Sequence, residues 1–83
     1  MLNDLKDTVN LMQSEDYIDR FKAEYYQTKI RYDKLHRLLV QLDAGTAKIT
    51  PKCSKELLKK QCSDMGSYLY DLEVRACIEE IDL

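Results

Sequence analysis

Breakers are scarce in this chain of 83 residues, with two glycines and one proline, and tryptophan is absent. So few interruptions leave long helices intact. With Gly45 and Gly66 the only glycines, no glycine-rich phosphate loop can be built. His36 is the only histidine, so a histidine pair for a metal is excluded, and no spacing around it marks a Ser-His-Asp set. No apolar run approaches the roughly 18 residues of a membrane-spanning helix. The first residues, MLNDLKDTVNLM, mix acids into their apolar positions and lack a cationic leader, so they do not read as a signal peptide.

Cysteine is sparse too. Cys53, Cys62 and Cys77 are odd in number, and no CxxC pair exists. Free thiols are expected, two of them partly packed, in a reducing cytoplasm. Neither a metal nor a cofactor is expected. Charge of one sign is also missing: 13 Lys and Arg against 15 Asp and Glu give a net charge of −2. A DNA- or RNA-binding domain would be strongly basic, so no nucleic-acid partner is expected. A small anion on a local basic cluster is compatible with this balance.

Charged residues make up 34% of the chain, a composition suited to helices. Leu2, Leu5, Val9 and Met12 recur at helical steps and predict a short amphipathic helix over about 2–12. Ser14, with Glu15 and Asp16 behind it, predicts the cap and acidic first turn of a second helix over about 15–44. Ile18, Phe21, Tyr25, Thr28, Tyr32, Leu35, Leu39 and Leu42 then alternate three- and four-residue steps, a heptad seam. Gly45 supplies a left-handed stop. After the loop GTAKITPKC, either Thr50-Pro51 or Ser54 opens a third helix, taken as about 52–82. Leu58, Cys62, Met65, Leu69, Leu72 and Ala76 are its seam. The expected fold is all-α over one domain, 1–83: a short N-terminal helix plus a long antiparallel helical hairpin.

The seam leaves apolar residues over: Tyr17, Tyr26, Ile30, Leu38 and Val40 on helix two, and Leu57, Tyr70, Val74, Ile78 and Ile81 on helix three. The first helix can cover part of this surplus. The rest predicts a homo-oligomeric helical bundle. Gly66, inside helix three, has two readings: close helix packing, or room for a ligand or partner backbone.

Carboxylates are scattered over helical surfaces, and helical placement brings neither Cys62 nor Cys77 beside His36. No enzyme is expected, and binding remains. Lys22, Lys29 and His36 lie seven residues apart on one flank of the seam, with Tyr26 and Arg37 near it. On helix three, Tyr68 and Arg75 flank the seam, also seven apart. Flat rings for stacking and cations for phosphate, at an oligomer interface, suit a nucleotide. The plainer reading is that these bases cover the core and pair with acids.

Phe21-Lys-Ala-Glu24, Lys34-Leu-His-Arg37, the segment from Glu56 to Gln61 and that from Met65 to Arg75 resemble a group of small helical-hairpin proteins of tailed phages and prophages. The resemblance covers nearly the whole chain, and its motifs are mostly packing and capping residues. Several small phage proteins of this size are signal sponges, oligomers that sequester cyclic dinucleotides or ADP-ribose-type messengers of bacterial defence. The resemblance thus implies an anti-defence protein, an inhibitor of CBASS- or Thoeris-type signalling. Its partners would be a further copy of itself and a small nucleotide, most simply a cyclic dinucleotide, held without cleavage. The Tyr-Arg-Asp-Leu signature of the helical anti-CBASS sponges is absent, since Tyr17-Ile-Asp-Arg20 does not match it, so no ligand residue carries over. An interaction module for a host protein and a structural component are the alternatives.

Overall fold

A computed structural model describes residues 5–13 and 15–83 of the chain. A 3-10 segment, Leu5–Thr8, runs into one turn of helix, α1, Val9–Met12. Two long helices follow, α2, Tyr17–Ala44, and α3, Lys55–Ile78. They pack against each other antiparallel, since Tyr25 meets Glu73 and Asp43 meets Lys55. The 28 residues of α2 set the longest dimension, 43 Å of 43 × 25 × 19 Å. The described part of the expected 2–12 helix is thus a 3-10 segment and a single α-turn; residues 2–4 and Ser14 lie outside the described residues.

Local chemistry sets the helix ends. Asp16, in extended conformation, accepts from the Ile18 N–H at 2.8 Å and caps α2. Ser54 does the same for α3, accepting from the Leu57 N–H at 3.1 Å, with Glu56 in the first turn. Of the two openings considered for that helix, Ser54 is the one used. At the end of α2, Gly45 adopts φ 75°, and the N–H groups of Gly45 and Thr46 donate to Leu42 and Gln41. The end of α3 repeats this bond pattern without a glycine. Glu80 takes φ 56° and donates to Cys77, while Ile81 donates to Ala76 at 2.8 Å. Both ends are Schellman motifs. The second turns the chain back before residue 82 and buries Ile81 in the core.

Along α2, Phe21, Tyr25, Thr28 and Leu39 are buried; along α3, Cys62, Leu69, Leu72 and Ala76 are buried. Ile18, expected to head the seam, is 45% exposed. In the antiparallel register its partner position is past the end of α3, where the chain has turned away. On the other side of α2, Ala23, Gln27 and Ile30 share a face by helical spacing, and Ala23 and Ile30 are buried. The N-terminal segment packs on α2 there. The Gln27 carboxamide donates to Thr8 Oγ1 at 3.0 Å and to the Met12 sulfur, and the Thr8 hydroxyl donates to the Leu5 carbonyl. Thr8 is fully enclosed. Thus α2 is the middle layer, between the N-terminal segment and α3.

The apolar surplus divides. Ile30 and Ile81 are buried, and Tyr26 packs on the core half-buried. Tyr17, Val40, Leu57, Tyr70, Val74 and Ile78 remain exposed. Of these, Tyr70, Val74 and Ile78 recur every four residues along one side of α3. Cysteine burial also departs from expectation: Cys62 alone is buried, and Cys53 and Cys77 are exposed. Cys53 lies in the connection, and Ala76 takes the inward position beside Cys77. Among the described residues no helix is long and apolar enough to cross a membrane.

Candidate functional site

The antiparallel register divides the seven residues singled out from the sequence between the two flanks of the hairpin. Tyr68 and Arg75 share one flank with Tyr17 and Glu24 of α2. There the Arg75 guanidinium donates to Tyr17 Oη at 2.9 Å, approaches Glu79 at 3.5 Å and lies 5.0 Å over the Phe21 ring. Tyr17 in turn donates to Glu79 at 2.8 Å, closing a triangle. Tyr68 donates to Glu24 at 3.0 Å. Burial, then that bond, raises the Tyr68 hydroxyl pKa. Both residues therefore tie α3 to α2.

The other five follow the second flank and the outer side of α2. Lys29 is paired with Asp33 at 3.1 Å, one turn on. Tyr26 lies edge-on to Tyr25, with ring centroids 5.2 Å apart. His36 stacks on Tyr32, centroids 6.0 Å apart and planes 9° from parallel. His36 and Arg37 border a hollow of about 370 Å³ with Asp33 and Val40. Lys22 stands half-buried one further turn toward the start of α2. Among the described residues, neither this hollow nor the grooves between the helices gather the seven.

The broader concavity lies between the helices on this second flank. Cys62, Ser63, Gly66 and Ser67 are small and recur at helical spacing, so α3 lacks bulk along one strip. The Tyr32 ring of α2 comes up against it: a Cβ on Gly66 would stand 3.2 Å from Tyr32 Cε1. Close packing is thus the role of Gly66 toward α2. Beyond that contact the strip opens into a groove of about 740 Å³, lined by Tyr32, Leu39, Cys62, Gly66, Tyr70 and Lys59 among others. This size lies within the range of ligand pockets, about 300–1,000 Å³.

The chemistry of this groove is that of holding. Tyr32 and the exposed Tyr70 offer ring faces, and Ser63 and Ser67 offer hydroxyls that can donate or accept. Lys59 brings a cation, but it is paired with Asp43 at 3.3 Å, and Asp71 adds a negative charge. Burial raises the pKa of the Cys62 thiol, which disfavours the nucleophilic thiolate. Among the described residues no group of three His, Cys, Asp or Glu is placed to hold a metal.

Sequence reasoning assigned Tyr32 to the core and Tyr70 to the surplus, and it passed over Ser67 and Lys59. The available signal was the spacing of small residues on α3, of which Cys62 and Gly66 were noticed only singly. Among known protein families, the model described as Sequestin matches residues 15–78. That is most of the chain, which belongs to this family. No curated protein and no solved structure matches. The matched segment is the hairpin itself, both long helices and their connection. The family name speaks of sequestration, a binding role without catalysis, and no enzyme family is indicated.

Proposed function

We propose that this member of the Sequestin family is a phage anti-defence protein acting in the host cytoplasm. It binds a small cyclic nucleotide signal carrying two phosphates and keeps it from its receptor without cleaving it. The observation that carries this reading is the family match over residues 15–78, the hairpin that forms the Tyr32–Gly66–Tyr70 groove. Ring faces suit a base, and a nucleotide needs stacking surfaces and local cations on a chain of net negative charge. A cyclic dinucleotide, with two separate phosphodiesters, is the ligand class implied by the phage-protein resemblance; a cyclic ADP-ribose also carries two phosphates, joined there as a diphosphate.

In this reading the groove is completed by a second copy. Tyr70 is 66% and Ile78 74% exposed, and with Val74 they form an apolar strip running on from the groove wall. A strip of this kind beside an open concavity is the surface a further subunit would cover. The competing reading, docking of a host protein, rests on the same strip.

Calorimetric titration with a panel of cyclic dinucleotides and cyclic ADP-ribose isomers tests the proposal. Saturable heat with at least one member is expected. Silence with all of them, together with capture of one host protein, would support the docking reading instead.

A further inference from the structure

A second groove lies on the opposite flank of the hairpin. Arg31, Lys34, Leu35 and Leu38 of α2 and Gln61 and Met65 of α3 border about 350 Å³. Gln61 stands two residues from both Lys59 and Ser63 of the first groove. Two residues on a helix are about 200° apart, so the two grooves face away from each other.

Their chemistries are complementary. The first groove has aromatic walls, but its cation is paired with Asp43, and Asp71 lines it. The second has two cations and neither a carboxylate nor an aromatic ring. Several other cations of the hairpin are matched by acids: Lys29 by Asp33, Lys55 and Lys59 by Asp43, Lys60 by Asp64, and Arg75 by Glu79. Lys22 and Arg37 have no ion pair with a described residue but line neither groove. Arg31 and Lys34 have no ion pair or hydrogen bond to any described residue. On the same helix, Asp33 is engaged by Lys29 and Glu24 by Tyr68.

Arg31 and Lys34 are one turn apart, with about 5–6 Å between Cβ atoms at such spacing. A planar fork beside a point charge suits adjacent phosphate oxygens. Leu35, Leu38 and Met65 form an apolar border, which lowers the local dielectric and strengthens such contacts. The Gln61 carboxamide can meet a ribose hydroxyl or a base edge.

We infer that Arg31 and Lys34 are the phosphate-binding half of the sequestering site, and that this half meets the aromatic half, Tyr32 and Tyr70, only across a subunit boundary. This rests on the proposed function and locates its chemistry. A nucleotide on one chain finds either stacking or free cations; an assembly placing the second groove of one copy against the first groove of another supplies both.

The test uses the full chain and whichever cyclic nucleotide of the panel the wild type binds. The double substitution Arg31→Gln with Lys34→Gln should weaken binding roughly 100-fold, two charge-assisted contacts having been removed. Tyr70→Ala should weaken it through the other half. Lys60→Ala, whose partner is Asp64, should bind as wild type. All should keep the wild-type helical circular dichroism, because the altered side chains are exposed. Co-refolding the double variant with Tyr70→Ala should restore wild-type affinity in a fraction of the sites. Unchanged affinity in the folded double variant would overturn the inference and leave the proposed function standing. Failure of the co-refolded mixture to regain any binding would overturn the shared site. Wild-type silence with every nucleotide would overturn the proposed function and this inference together.

Discussion

The two halves of the hairpin are filled differently. At the open end, Phe21, Tyr25, Leu69, Leu72, Ala76 and Ile81 interlock into one buried cluster, with Tyr26, Tyr32 and Leu83 packed around it. In the half beside the 45–54 connection, Leu39 and Cys62 are the buried residues of α2 and α3, and the helices are pinned by Asp43 between Lys55 and Lys59. Large rings meet leucines at one end, while small residues on α3 leave troughs at the other. Close packing stabilises but leaves no space; loose packing contributes less and leaves concave surface. The open end therefore holds the fold, and the connection half offers the grooves.

The most damaging way to break this comparison is at the open end. Leu72 is 2% exposed, and Leu72→Ala should cost about 2–5 kcal/mol, as lost burial plus a cavity. Urea denaturation at fixed protein concentration checks this, and a loss below about 1 kcal/mol would show that the cluster is not the main core.

Tyr25→Phe comes next, with a loss of about 1–2 kcal/mol at neutral pH, because Tyr25 donates to Glu73 at 2.6 Å. Burial, and then the Glu73 carboxylate, holds the Tyr25 hydroxyl well above the ordinary tyrosine value of about 10. Folding thus favours the neutral phenol. Its contribution is complete below about pH 10 and is lost as pH rises beyond that. Stability followed from pH 7 to 11 should fall less steeply for Tyr25→Phe than for the wild type.

Glu80 sharpens the comparison at the far end of α3. It occupies the left-handed position that Gly45 fills after α2. Glu80→Gly should relieve strain and stabilise by up to about 1 kcal/mol, visible as a higher melting temperature, whereas Gly45→Ala should lower it.

The smallest expected effect on stability is in the connection half. Gly66→Ala gains about 1 kcal/mol of helix propensity and loses part of it to the Tyr32 ring, which can shift toward the open groove. Its melting temperature should change little while nucleotide affinity falls. A parallel loss of both would place Gly66 in the core rather than beside a site.

Much of the hairpin was legible because its signals are local and repeated. The seam from Phe21 to Leu39 and that from Leu58 to Ala76 carry the heptad pattern, and Gly45 marks its own stop. The end of α3 was not legible, because a glutamate stands at the left-handed position and no glycine announces the turn; Ile81 accordingly read as surplus. Asp16 rather than Ser14 stands as the described cap, since several acids and hydroxyls precede α2 and only geometry selects one. The site was less legible than the fold. Seven-residue spacing grouped Lys22, Lys29 and His36, and likewise Tyr68 and Arg75, but a spacing within one helix does not say which flank of the other it faces. Nor does it show that Arg75 and Lys29 are occupied by Glu79 and Asp33 while Arg31 and Lys34 stand free.

Sequestration differs from catalysis in that what enters the site leaves it unchanged, and from protein docking in that what is retained is a nucleotide. The most direct measurement incubates the protein with the cyclic nucleotide that gives heat, removes unbound ligand, denatures the complex by heating and analyses the released nucleotide by chromatography. Sequestration predicts stoichiometric recovery of intact nucleotide. A cleaved product, or no retained nucleotide at all, would contradict it.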